Sequence, residues 1–181
     1  MNTELANFLQ RHEAIMTEAA VWANGLMPLS ITSYLGQELP PLSFVTSVRA
    51  IVIQNDQVLV IRDPEGYHIL PGGRREANES LLQTLQRELQ EESGWSLSDI
   101  KLIGFKYFHQ LNPHPSTSHV GPDFLQVIYT GRPEAFHPDA REQNGYELEA
   151  IFRPRTELAT LKLNESDLAF LEAALQIHAH S

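Results

Sequence analysis

Between residues 79 and 93 the chain carries glutamates where a helix should present only leucines, and Gly94 closes the segment. On a helix turning about 100° per residue from Leu81, Leu85 falls near 40°, Leu89 near 80° and Leu82 near 100°, which makes an apolar stripe. Glu88 and Glu92 fall at about -20° and 20°, within that stripe, and Glu91 at about -80°, beside Glu88. Gln83, Gln86 and Gln90 take the opposite, solvent side. A run of glutamates is ordinarily a solvated face. Here two of them point where the leucines point, and no basic residue four positions away neutralises both. Burying such charges unpaired costs several kcal/mol. A cation is the natural remedy, because carboxylates at i, i+3 and i+4 offer hard oxygens within one turn, which suits Mg²⁺ or Mn²⁺ bridging to substrate phosphates. Just upstream, Pro71-Gly72-Gly73 leaves bare backbone that can approach a metal or ligand closely, with Gly72 the candidate ligand.

The flanking segments read as strands. Residues 48–53 and 58–61 are apolar runs joined by Asn55-Asp56, a pair that tolerates positive φ and suits a two-residue hairpin. Residues 67–70, 102–108, 124–130 and 146–152 also read as strands. A last helix starts at Asn164 or Ser166, either of which could cap it, and runs through Leu168, Leu171 and Leu175. Strands wrapped by a middle and a terminal helix indicate an α+β chain, an α/β/α sandwich with a mixed sheet.

The first 44 residues are read differently. Leu5, Phe8, Leu9, Ile15, Met16, Ala19 and Ala20 have helical spacing, which predicts a helix over about residues 3–24. Gly25, Pro28 and Pro40-Pro41 then predict an irregular connector over residues 25–44. The helix would pack on its own domain, form a homodimer contact or act as a lid.

Composition narrows the partners. A formal charge of -10 over 181 residues disfavours a nucleic-acid polymer or an anionic membrane, since both want a basic face. It does not disfavour a small phosphate ligand, because a bound metal reverses the local field. With no cysteine, disulfides, thiolate zinc sites and cysteine nucleophiles are excluded. No leader pattern or long apolar run is present, which leaves the cytoplasm as the expected location.

The segment 73–95 resembles the Nudix hydrolase family, whose motif is G-x5-E-x7-R-E-U-x-E-E-x-G-U, with U a bulky aliphatic residue. Gly73, Glu79, Arg87, Glu88, Leu89, Glu91, Glu92, Gly94 and Trp95 stand at every required spacing. Trp95 is bulky but not aliphatic, and Asn78 replaces a common glycine, although asparagine also tolerates a left-handed turn. The resemblance extends over residues 68–73 and, more loosely, residues 45–158. It implies a Nudix hydrolase domain over residues 45–181, including the C-terminal helix, with residues 1–44 matching nothing recognisable.

What the resemblance implies is metal-dependent hydrolysis of a phosphoanhydride in a nucleoside diphosphate-linked substrate, such as an ADP-ribose-like compound or a nucleoside triphosphate. Glu88, Glu91 and Glu92 would hold Mg²⁺ or Mn²⁺, Arg87 would orient the glutamates, and Glu79 would hold the loop and Arg87. The general base would be Glu88, or else a later glutamate, Glu147 or Glu149. Arg62, Arg74 and Phe124 are candidate substrate contacts, whereas Arg75 reads equally as plain surface. His109, His114 and His119 lack helical spacing and cysteine partners, so they read as a polar loop rather than a zinc site. The loop over residues 109–122 is expected to select the substrate. The alternatives are a nucleotide-sensing module without turnover and an isomerase on the same scaffold.

Overall fold

A computed structural model of the chain describes residues 2–113, 121–142 and 145–179. Its helices are α1 (Thr3–Leu9), α2 (Leu81–Ser93) and α3 (Glu165–Ala179). Its strands are β1 (Ala14–Trp22), β2 (Met27–Leu35), β3 (Val45–Gln54), β4 (Gln57–Asp63), β5 (Gly66–His68), β6 (Trp95–Gln110), β7 (Asp123–Phe136) and β8 (Glu149–Pro154). No helix among the described residues is long and apolar enough to cross a membrane.

β3 is an interior strand of the sheet, and its sequence explains why. The apolar run Ala50-Ile51-Val52-Ile53 suits a strand covered on both faces. Val48, Ala50 and Val52 face a core shared with Leu81, Leu85 and Leu89 of α2, while Ile51 and Ile53 face Phe170, Leu171 and Ala174 of α3. Helices therefore lie on both sides of a mixed sheet of order β1-β2-β6-β7-β3-β4-β5, with β8 paired to β4. β3 runs parallel to β7 and antiparallel to β4. Gln54 pairs with Gln57 across the expected hairpin, and Asn55 takes a φ of 56°.

α2 has the boundaries its sequence implies. Ser80 accepts from the Gln83 amide and Gln83 answers with its side chain, a reciprocal cap. Gly94 ends the helix at a φ of 79°. Two side chains depart from the helical projection. Leu82, at the stripe's edge, is exposed. Gln86, expected in solvent, instead bonds both the amide and the carbonyl of Leu97 in β6. In α3 the cap is Asn164, which accepts from the Asp167 amide at 2.8 Å, and Leu168 is exposed rather than packed.

The N-terminal expectation is overturned. Only Leu5, Phe8 and Leu9 form a buried helical face, and the expected long helix is instead α1 followed by the hairpin β1–β2. Ile15-Met16 and Ala19-Ala20 mimic helical spacing because each is an adjacent pair. In a strand the two members of a pair face opposite sides. The expected connector is largely β2, where Met27, Leu29 and Ile31 alternate inward and Pro28 sits near the strand's start. Asn24-Gly25 at the reversal, with φ values of 52° and 95°, is the local hairpin signal that identifies this arrangement. β2 then pairs with β6, making the hairpin an extension of the main sheet.

Candidate active site

The loop before α2 lies tight against β3. Val48 donates its amide to the Gly73 carbonyl and Ala50 donates to that of Pro71. Gly72 has a φ of 130°, and a side chain there would collide with the Val48 carbonyl. A side chain on Gly73 would collide with the Glu88 carboxylate, so glycine is what lets that carboxylate rest on the loop.

Arg87 organises three glutamates at once. Its Nε and Nη2 grip the two oxygens of Glu79 at 2.7 and 3.0 Å, a bidentate pair. Nη1 donates to Glu88 at 2.9 Å and to Glu91 at 3.0 Å, and Nη2 also reaches the Arg74 carbonyl at 3.1 Å. The hydrogen bonds from Arg87 hold Glu79 far down, at about 2. Thr84 adds another hydrogen bond to the same carboxylate. Glu88 is pushed up by burial, against the pull of Arg87. Asn78 adopts a φ of 70°, the left-handed turn expected of it.

Glu92 is buried as the stripe implies. Its Oε2 accepts from the Gly72 amide at 2.8 Å, and Oε1 lies 3.7 Å from Nη1 of Arg49. Burial raises its pKa to about 8 despite that arginine. Arg49 comes from β3, far away in sequence, so a local count of charges missed it. It reduces the deficit of positive charge without removing it. The donors are hard oxygens on one helix beside a backbone loop, so their chemistry fits Mg²⁺ or Mn²⁺. Among the described residues the carboxylates do not close on a single point. Glu88 and Glu91 share Arg87, while Glu92 turns to Gly72.

Two adjoining clefts open on the sheet face that α3 leaves uncovered. The first, about 430 Å³, is lined by Glu92, Glu147, Asp63, His68, Lys106 and Asp167, among others. The second, about 710 Å³, is lined by Trp22, Met27, Phe124, Arg74 and Asn78, among others. Arg49, Gln126, Phe108 and Trp22 belong to both. Lys106 is buried at the boundary, bonded to Asp167 at 2.7 Å and Ser166 at 3.0 Å.

The sequence candidates divide accordingly. Arg74 and Phe124 line the larger cleft, and Phe124 stacks on Phe108 at 4.8 Å. Glu147 lines the smaller cleft with Glu92. Glu149 does not reach either cleft but lies 3.8 Å from Arg62 and 3.3 Å from Arg153, on the β4–β8 ladder. Arg62 likewise lines neither cleft. Arg75 is exposed, lines the larger cleft and donates its Nε to the Glu79 carbonyl at 2.8 Å. His109 pairs with Asp123 at 2.8 Å, while His114 and His119 lie outside the described residues. Arg49, Gln126, Lys106 and Trp22 were not legible as site residues, because each enters from a different strand.

The NUDIX domain model matches residues 44–174. The 8-oxo-dGDP phosphatase NUDT18 of Homo sapiens is 29% identical over 128 residues, 68% of this chain and 36% of that protein. Its Mus musculus counterpart is 25% identical over 135 residues, 69% of this chain and 38% of that one. The chain thus spans well under half the length of these curated relatives. Among solved structures, the Bacillus subtilis pyrophosphohydrolase BsRppH has a TM-score of 0.60 at 15% identity, covering 88% of this chain and 96% of that one. A NUDIX hydrolase from Nitrosomonas europaea has a TM-score of 0.55 at 24% identity, covering 75% and 90%. The NUDIX domain of Shewanella oneidensis NrtR, complexed with ADP ribose, has a TM-score of 0.53 at 18% identity, covering 77% and 93%. These likenesses agree on the fold, and the family model covers most of the chain, motif helix included: the protein belongs to the Nudix family.

Proposed function

We propose that this chain is a divalent-metal-dependent hydrolase that cuts a phosphoanhydride bond in a small nucleoside diphosphate-type substrate. The observation that carries this reading is the pair Glu88 and Glu92 set in the apolar stripe of α2, with Glu92 lining the smaller cleft and Glu88 tied through Arg87 to Glu79 and Glu91. In this reading Glu88, Glu91 and Glu92, with the backbone at Gly72, hold Mg²⁺ or Mn²⁺. A cation held there neutralises phosphate oxygens and makes water a better nucleophile at neutral pH.

The chain's own groups do the rest. Arg87 and Glu79 fix the orientation of the carboxylates, and Arg49 and Arg74 face the phosphates from the cleft floor and rim. Water adds to one phosphorus, the bridging P–O bond breaks, and the departing fragment leaves as a phosphate. Glu88 takes the water proton, its pKa raised by burial towards the range of a useful base. Glu147 is the alternative base, because it shares the smaller cleft with Glu92. Glu149 pairs with Arg62 and Arg153 and lines neither cleft, which favours Glu147 of the two later glutamates.

The names of the relatives and neighbours suggest 8-oxo-dGDP and ADP-ribose for the panel to test, and the motif adds nucleoside triphosphates, each with Mg²⁺ and Mn²⁺. Product release should require the metal, and Glu88→Gln and Glu92→Gln should each lower turnover by about 10²-fold or more with the fold intact. Near-normal metal-dependent turnover in either variant would sink the assignment. Tight nucleotide binding without turnover would mark a sensing module instead.

A further inference from the structure

We propose that the larger cleft is the nucleobase site of this chain and that Trp22, on the N-terminal hairpin, is its outer wall. The inference rests on the hydrolase reading for the identity of the ligand, and on the hairpin for its novelty. The family model begins at residue 44, so Trp22 and Met27 lie outside the residues it matches. β1 and β2 nevertheless extend the same sheet through β6 and carry these two side chains to the cleft.

The wall has the composition an aromatic ring requires. Phe108 and Phe124 stack with centroids 4.8 Å apart and planes 4° from parallel, and both are buried. Trp22 packs against Phe108 at 5.2 Å but stays 45% exposed, with an indole surface still open to the cleft. An exposed tryptophan beside an apolar hollow loses that exposure when a planar ligand stacks on it. Ser47 and Gln126, joined by a 3.2 Å hydrogen bond, supply polar groups for the ring edge at the same place.

Trp22, Arg49, Phe108 and Gln126 line both clefts, so the aromatic hollow and the carboxylate-lined cleft lie side by side. A ligand with a flat ring at one end and phosphates at the other matches that division. Arg49 lines both ends, Arg74 the aromatic one, and Glu92 and Glu147 the far one. The hairpin thereby acts as a specificity element, holding the base while the shared domain holds the phosphates.

The chain has two tryptophans, and Trp95 packs on Phe136 and Phe152, away from both clefts. In a Trp95→Phe background, Trp22 emission should be quenched by dGMP or AMP with Mg²⁺, and not by ribose 5-phosphate at the same concentration. Trp22→Ala should raise KM for nucleotide substrates roughly 5- to 100-fold, more than kcat falls, with Trp22→Phe recovering most of the loss. Melting curves of the same variants separate a lost stacking partner from a lost fold. Equal quenching by ribose 5-phosphate, or no quenching by dGMP in a chain that turns over nucleotides, would overturn the base site and leave the hydrolase reading standing. Selective quenching in a chain that turns over no nucleotide would support the base site and remove the hydrolase.

Discussion

Arg87 is the residue through which the site is held together. One guanidinium serves Glu79, Glu88, Glu91 and the Arg74 carbonyl, so losing it would release three carboxylates in a confined region. Its partner Glu79 gives the site a pH signature. The carboxyl ionises at about 2 in the folded chain against an ordinary value of 4.5, chiefly through the hydrogen bonds from Arg87. With the folded pKa depressed, the folded chain binds fewer protons than the unfolded chain between those values. The stabilisation is thus complete above pH 4.5 and is lost as pH falls through 2. Melting temperatures of the native chain and Glu79→Gln should differ most near neutrality and converge towards pH 2. A gap that stays constant across that window would show that the pair does not couple to folding. The motif explains why Arg87 and Glu79 were legible from sequence: they are eight positions apart, on one helix and its leading loop. Arg49 was not legible, since its approach to Glu92 depends on how β3 lies against that loop.

At the scale of elements, the N-terminal hairpin is the largest departure from the sequence reading. Adjacent apolar pairs satisfy a helical template and a strand template together, so periodicity alone could not decide. Pairing with β6 decides, because it buries Leu29 and Ile31 and supplies backbone partners along a whole strand. α1 is tied into the same core through Leu5 and Phe8, and Phe8 packs on Phe105 at 5.1 Å. Fully burying such side chains contributes about 1.5–3 kcal/mol each. Deleting residues 1–35 should therefore cost about 5 kcal/mol or more, comparable with the whole stability of many domains. It should also leave the β6 edge open to other chains. Urea unfolding and size-exclusion chromatography would check this, with a soluble truncation of unchanged stability as the contrary result. Clearer elements, such as α2 with its Gly94 stop, needed no tertiary partner to be recognised.

For the whole molecule, part of the formal charge of -10 lies in the smaller cleft. The smaller cleft gathers Glu18, Asp63, Glu92, Glu147 and Asp167 against Arg49 and Lys106. Glu92, raised to about 8 by burial, is part of what such crowding costs the metal-free chain. A cation bound only by the folded form stabilises by RT ln(1 + [L]/Kd), about 2.7 kcal/mol at a hundredfold excess over Kd. Mg²⁺ or Mn²⁺ should accordingly raise the melting temperature, and the chain with Glu88→Gln, Glu91→Gln and Glu92→Gln combined should lose that increment. Without metal the same variant should be at least as stable as the native chain, because buried like charges have been removed. An increment that survives the three substitutions would place the cation elsewhere.

By itself the sequence determined what depends on neighbours along the chain. The carboxylates within an apolar stripe, the caps of α2, the left-handed turn at Asn78 and the Asn55-Asp56 hairpin are set within one turn or one loop. So is the double-sided burial of β3, which follows from its unbroken apolar run. Tertiary structure alone decided which strands meet. It set Arg49 beside Glu92, brought Glu147 to the cleft while Arg62 and Arg153 took Glu149, and carried Trp22 to Phe108 and Phe124. Each of these depends on the pairing and register of strands far apart in sequence. Register moves side chains between faces one residue at a time, and it is settled by the complementary partner strand rather than by any property of the segment alone.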